Sequence, residues 1–331
     1  MDNTFYQKKV SVIIPTYNRA KFVPNAVRSV INQKYNNLEI VIVDDGSEDN
    51  MQTVVNSLKE EYPNIIYCHN ERSKGPSGAR NTGIIKSSGD YISFLDSDDI
   101  WLSGHLRNGL RILNEHPEID VLFGNYSVVD FNTGKHLYNF FDQKKILHTL
   151  KSVQLSPDIR VLHDNLFLAL IQENFFSVGS LIIKKSSMAG LLMDEAIMFA
   201  EDRDFAIKLY REANATFAFR KNPVVKVYRH DSNLYNTSVS SNAQKIIEAH
   251  IYLLTKYLKN YNLSYNEKRI LARLIAEKLS NLSYLHGKNK EYQNALSCIL
   301  KSFKYGLTFA QFKNILKILI AFLLIRKRTE E

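Results

Sequence analysis

The chain has 331 residues, 45% hydrophobic and 11% aromatic, with a formal net charge of +9. These values exclude a disordered chain and allow one large domain or two moderate ones around a substantial core. Two cysteines far apart, Cys68 and Cys298, exclude a disulfide framework and a zinc spacing; each reads as a small buried hydrophobe in a reducing compartment.

The N-terminal sequence MDNTFYQKKVSVIIP holds a five-residue apolar run, Val10 to Ile14, broken by Ser11. That is no secretion signal, so a cytoplasmic chain is expected. The charge is uneven: residues 241–331 hold 16 Lys and Arg against 6 Glu and no Asp, while residues 1–240 hold 27 against 28 acids. All the positive excess is therefore C-terminal, which points to two regions with different partners.

In chain order, Val10–Ile14, Glu39–Val43, Ile65–Cys68 and Tyr91–Leu95 predict strands, and Pro24–Asn32, Asn50–Glu61 and Ser77–Ser88 predict helices. This alternation implies an α/β fold with a mostly parallel sheet flanked by helices. Ligands of such sheets lie at the carboxyl ends of the strands, which here are followed by PTYNR, DDGSED, HNERSKG and DSDD. In PTYNR, Tyr17 offers a ring to stack on a base, or ordinary packing. DDGS reads as a turn, or as a carboxylate that accepts from a base N–H or a ribose hydroxyl. In GPSGARNTG the glycines permit close backbone approach, and Arg80 offers a planar donor fork suited to a diphosphate. The stretch matches neither GxGxxG nor a phosphate-binding P-loop.

YISFLDSDDIWL places three acids, Asp96, Asp98 and Asp99, at a strand end. A calcium EF-hand is excluded because its sixth and twelfth positions hold Trp101 and Arg107. One acid suffices to cap a helix beginning near Trp101, which leaves the others unexplained. A Mg²⁺ or Mn²⁺ site of one or two carboxylates plus substrate phosphates suits the loop better.

A helix is then expected to Glu115, before Pro117, followed by strands in VLFGNYSVVDFNTGKHLYNF around an Asn-Thr-Gly turn. Residues 141–175 carry no clear period. GSLIIKKSSM predicts a strand and short helix, AEDRDFAIKLYREA a helix, and NPVVKVYRHDSNL a strand entering a polar loop. From about Asn242 the pattern is helical, with Leu271, Leu274, Ile275 and Leu279 on one packing face. The run Asn314 to Ile325, closed by Arg326, Lys327 and Arg328, is too short to span a bilayer. It suits either an interfacial helix on anionic lipid or a buried terminal helix. No nucleic-acid-binding motif accompanies the basic charge.

SVIIPTYNR, VIVDDGSED, GPSGARNTGI, GDYISFLDSDD and FAEDRDFAIKL resemble, in order and spacing, the family 2 glycosyltransferases of the GT-A fold, over roughly residues 8 to 240. The resemblance implies a Rossmann-like domain over 1–240, an all-α region over 241–331, and inverting transfer of a sugar from a nucleotide diphosphate sugar, a UDP-sugar in first place. It implies that Pro15 and Tyr17 border the base, Asp45 binds it, Arg80 lies against base and diphosphate, and Asp96 holds the ribose. Asp98 would hold Mn²⁺ or Mg²⁺, with Asp99 in reserve and His230 approaching the diphosphate or metal. Asp202 would be the general base and Glu201 its positioning partner or substitute; the same acids also read as the dipole-favoured first turn of a helix. The basic apolar tail points to a lipid-linked or polysaccharide acceptor at the inner membrane face. A nucleotidyltransferase would need a glycine-rich loop after the first strand, which PTYNRAKF lacks; a non-catalytic nucleotide-binding adaptor is the third reading.

Overall fold

The computed structural model describes residues 8–163, 165–229 and 240–306. The chain divides into two compact units, Met1–Asp231 and Ser232–Glu331. The first unit opens with β1 (Val10–Thr16), α1 (Val23–Ile31), β2 (Leu38–Asp44), α2 (Met51–Glu61), β3 (Ile65–His69), α3 (Pro76–Lys86) and β4 (Tyr91–Phe94). β1 to β4 are parallel: Thr16 lies beside Asp44, Asp44 beside His69, and Ile13 beside Phe94. β2 and β4 are buried throughout and β1 nearly so, which is why they read as continuous apolar runs. Val23, Ala26, Val27 and Val30 make the buried face of α1 at helical spacing, and Pro24 sits in its first turn, where a missing N–H costs nothing.

After β4 the acidic loop leads to a two-residue strand, β5 (Ile100–Trp101), antiparallel to the last strand of the unit. The next helix, α4 (His105–Glu115), starts at Gly104, whose φ of +80° makes the turn. The helix expected from Trp101 thus begins four residues later, and none of the three acids caps it. β6 (Val121–Asp130) and β7 (His136–Asn139) form the expected hairpin. Its turn is held by Asp130 Oδ1, which accepts from Thr133 N at 2.8 Å and Thr133 Oγ1 at 2.7 Å.

The segment without a period resolves into pieces too short to show one: α5 (Lys145–Thr149), β8 (Ser152–Gln154), β9 (Ile159–Leu162) and α6 (Leu166–Gln172). β10 (Ile182–Lys184) inserts antiparallel between β4 and β6. α7 (Glu201–Arg211) precedes β11 (Phe217–Arg229), which runs parallel to β6 with Val225 beside Tyr126. The sheet order is β3-β2-β1-β4-β10-β6-β11-β9-β8, with β5 on β11 and β7 on β6. The four strand-end loops therefore share one rim with the end of β6.

In the second unit, α8 (Ser240–Asn260), α9 (Tyr265–Lys288) and α10 (Tyr292–Phe303) are helices, and α9 packs on both others. A capping box starts α9: Ser264 Oγ accepts from Glu267 N at 3.3 Å, and Ser264 N donates to Glu267 Oε2 at 2.8 Å. Leu271, Ile275 and Leu279 are buried and Leu274 half-buried, so this face is core. Among the described residues no helix is long and apolar enough to cross a membrane. The basic terminal run lies outside the described residues.

Candidate active site

The loops after β1, β2 and β3 are clipped to one another by side chains. Asn18, at φ +51°, donates its N–H to Ser47 Oγ at 2.9 Å, and its Oδ1 accepts from Glu48 N at 2.8 Å. Asp44 is buried and structural: its two oxygens accept from Ser47 N at 2.9 Å and Tyr67 Oη at 2.6 Å. Asp45 turns the other way and is half-buried, accepting from Asn70 Nδ2 at 2.6 Å and from Gly75 N at 2.8 Å. Tyr17 is 43% exposed with the Lys74 ammonium 4.6 Å from its ring centre, and Pro15 is half-buried at the end of β1. Of the expected base-binding residues, Asp45 thus has fixed orientation and Tyr17 an available face.

The glycines of α3 do what close approach requires. A Cβ at Gly78 would lie 1.9 Å from Ser73 O, and one at Gly83 would lie 2.3 Å from Ile13 Cγ2. That fit seats α3 against β1 and carries Arg80 inward to 4% exposure. Its guanidinium donates to Asp96 Oδ1 at 2.7 Å and to Glu201 Oε1 at 3.0 Å. Burial opposes its charge, but the Asp96 and Glu201 carboxylates outweigh that and raise its pKa. Arg80 therefore spends both terminal nitrogens as a strut between the acidic loop and the start of α7. The fork expected against a diphosphate is thus engaged by two carboxylates of the protein itself.

The three loop acids differ. Asp96 carries the Arg80 bond, Asp98 faces Arg19 Nε at 3.7 Å with its side chain 17% exposed, and Asp99 is buried with Oδ1 accepting from Tyr228 N at 3.2 Å. Burial first, then the charges of Asp98 and Asp96, push the Asp99 carboxyl well above the usual range. Among the described residues no group of three or more His, Cys, Asp or Glu is arranged to hold a metal. The donor set instead fits a hard cation that takes one carboxylate, Asp98, and completes its shell with phosphate oxygens and water. Such a cation would offset the charges of Asp96 and Asp98, which add to burial in raising the Asp99 carboxyl. His230 lies outside the described residues.

Ala200, at φ +65°, makes the sharp entry to α7 and sets its first two residues apart. Glu201 is buried against Arg80. Asp202 is half-buried, Oδ1 accepting from Arg203 N at 2.7 Å, and Oδ2 has no partner among the described residues. Burial and then the Glu201 charge push its carboxyl up to about 7, against the pull of the Arg203 N–H and the Arg203 and Arg80 charges. A carboxylate with one open oxygen and a pKa near neutrality is suited to accept a proton.

Several site residues had no signal of their own in the sequence. Glu195 binds Arg72, accepts from Ser73 N at 3.2 Å and from Asn81 Nδ2 at 2.8 Å, tying the loop before α7 to the loop that holds Asp45. Asn70 links Asp45, Ser73 O and the Thr82 hydroxyl, and its one sequence cue was its place in the strand-end loop HNERSKG.

Residues 11–171 match the model of the family described as Glycosyl transferase family 2. GalNAc(5)-diNAcBac-PP-undecaprenol beta-1,3-glucosyltransferase of Campylobacter jejuni is 29% identical over 297 residues, covering 89% of this chain and 88% of that protein. The crystal structure of S. aureus TarS is similar at a TM-score of 0.63 and 20% identity, covering 91% of this chain and 50% of that one, so this chain spans half the length of TarS. TarS 1–349 in complex with UDP-GlcNAc gives 0.60 at 19% identity, covering 91% and 93%. The mannosyltransferase PcManGT from Pyrobaculum calidifontis, in complex with GDP-Man and Mn²⁺, gives 0.55 at 17% identity, covering 96% and 81%. At these identities the likeness to the solved structures is one of fold.

Proposed function

We propose, from the glycosyl transferase family 2 match over residues 11–171 and the GT-A fold, an inverting transfer of a sugar from a UDP-sugar to a hydroxyl of a lipid-linked or polysaccharide acceptor. The observation that supports this reading best is the Arg80 strut: one guanidinium binds Asp96 of the acidic loop and Glu201 of α7. Loop and helix therefore border the same space, as donor binding and acceptor activation require.

In this reading Asp45, braced by Asn70 and Gly75, accepts from the base, Tyr17 stacks on it and Pro15 borders it. Asp96 meets the ribose. Asp202 takes the proton of the acceptor hydroxyl through its open oxygen; the hydroxyl oxygen bonds to the anomeric carbon as the bond to the diphosphate breaks. One carboxylate is enough, because a single in-line displacement inverts the centre without a covalent intermediate. Glu201, neutralised by Arg80, keeps Asp202 in place. Asp98, with Asp99 behind it and His230 as a further candidate, would hold Mn²⁺ or Mg²⁺, which supplies charge neutralisation for the leaving diphosphate. Residues 1–240 carry the transfer, and 241–331 supply peripheral contact with anionic membrane at its inner face.

The test is to incubate the purified chain with a panel of nucleotide sugars and Mn²⁺ and to score nucleoside diphosphate release with and without lipid extract. UDP-sugars are expected to respond, faster with lipid. Release from no nucleotide sugar under either condition would overturn the reading.

A further inference from the structure

Midway along β6, beside the end of β7, stands a half-buried cluster that neither the donor nor the proton acceptor uses. Phe140 stacks on Tyr126 with ring centroids 4.2 Å apart and planes 15° from parallel. The Lys144 ammonium lies 4.0 Å from the centre of the Phe140 ring. Rings that close leave no room between them, so Lys144 covers the face of Phe140 that Tyr126 does not. Next to this stack Arg229 donates to the Tyr138 hydroxyl at 3.2 Å. The backbone beneath is fixed, since Asn125 Oδ1 accepts from both Tyr126 N and Phe141 N at 2.9 Å.

Lys144 is the anomaly. The residue is half-buried, yet among the described residues its ammonium has no ion-pair partner and no hydrogen-bond acceptor. Glu173 is the acid whose charge reaches it most strongly, but that carboxylate spends its two oxygens on Lys145 N at 3.2 Å and Ile146 N at 2.8 Å, at the start of α5. Burial lowers the Lys144 pKa, and the charge of Asp202 also reaches it. Burial, and after it the Asp202 charge, push the Tyr126 phenol well above its ordinary value. The charge of the carboxylate that would take the acceptor's proton thus reaches both side chains. A cation that has shed water without gaining an anion is costly unless a ligand supplies one.

We infer that the Tyr126–Phe140–Lys144 stack is the acceptor subsite, with Lys144 binding a phosphate oxygen of an acceptor whose adjoining glycan unit presents its hydroxyl to Asp202. The inference rests on the transferase reading above. An ammonium is a point donor that suits phosphate without the bidentate geometry that selects arginine. Two sources carry this chemistry, a diphosphate-linked polyprenol and a phosphodiester polymer.

The experiment titrates the full chain, with its donor site filled by UDP, against polyprenyl diphosphate-linked N-acetylglucosamine in micelles, poly(glycerol phosphate), and an uncharged oligosaccharide. One phosphate-bearing probe is expected to bind, naming the source, and Lys144→Ala should weaken it about 10–100-fold, the worth of one charge-assisted hydrogen bond. Lys144→Arg should restore part of the loss. Lys145→Ala, which removes an exposed charge next in sequence, should leave binding unchanged, and every variant should bind UDP like the parent chain. The inference is overturned if neither phosphate probe binds, if Lys144→Ala binds as tightly as the parent, or if Lys145→Ala costs as much. Failure of UDP to bind would instead remove the transferase reading, and the phosphate probes would still report on Lys144.

Discussion

The two halves of the sheet are built by different rules. In the half made of β1 to β4, each chemical group sits in a short string at a strand end, and its partners are other strand-end strings: Asp45 with Asn70 and Gly75, Asn18 with Ser47 and Glu48. In the half made of β6 to β11, the centre is Phe123, whose ring meets Phe141, Phe175, Phe176, Phe217 and Phe219 at centroid distances of 5.3 to 6.5 Å. A nucleotide needs donors and acceptors at fixed points, and a tight loop after a strand can encode them locally. A hydrophobic core such as this one, whose rings are all buried, needs packed side chains, which distant parts of a chain can supply equally well. Chemistry is therefore concentrated in one half of the sequence and dispersed in the other.

The largest test of this division is Asp202→Asn. It removes the proposed proton acceptor and leaves the nucleotide half untouched, so turnover should fall about 100- to 10,000-fold while UDP-sugar affinity holds. Equal loss of both would merge the two halves. In the parent chain kcat/KM should rise with pH along a limb centred near 7, because the base must be unprotonated. Stability should move the opposite way. The folded chain keeps a proton on Asp202 up to about pH 7, whereas the unfolded carboxyl loses it near 3.8, so the Asp202 contribution to stability is full below about pH 4 and is lost as pH rises through 7. Thermal melts at pH 5 and 8 should differ less in Asp202→Asn than in the parent.

The legibility of the sequence follows the same division. β1 to β4 and their loops were readable because buried parallel strands are continuous apolar runs and the following polar strings are contiguous. The start of α4 was misplaced because Ile100 and Trp101 look helical in isolation, and a partner more than 120 residues later, Val225 and Lys226, draws them into a strand. The acidic first turn of α7 was readable from AEDRDF, but its partner arrangement was not: nothing in GPSGARNTG says that Arg80 turns inward to Glu201. Lys144 and Phe140 were invisible for a further reason. They lie in and just after a single four-residue helical turn, Phe140–Gln143, too short for any periodicity to show.

Arg80→Ala comes next in size, because the strut joins the halves. Removing a buried cation deprives buried Glu201 of its Arg80 ion pair, a loss of about 3–5 kcal/mol in urea unfolding, and both donor affinity and turnover should suffer. Arg80→Lys should recover little of this, since a single ammonium cannot reach Asp96 and Glu201 in the geometry of the planar fork. Full recovery by Lys would show that charge alone, and not the two-pronged bridge, holds the acidic loop to α7.

The smallest expected effect is at Glu195, which touches neither half's chemistry directly. Although burial works the other way, hydrogen bonds from Arg72, Asn81 and Ser73 hold its carboxyl down to about 2, so it stays charged throughout the working range. Through Ser73 it steadies the loop whose Asn70 and Gly75 orient Asp45; through Asn81, which exchanges hydrogen bonds with Met193 at 2.9 and 2.8 Å, it ties that loop to the approach to α7. Glu195→Gln keeps the shape and removes the charge, so the UDP-sugar KM should rise about three- to ten-fold, the worth of one partly exposed charged contact, with kcat nearly unchanged. A fall in kcat at constant KM would place Glu195 on the acceptor side of the divide and show that the loop before α7 answers to Asp202 and not to Asp45.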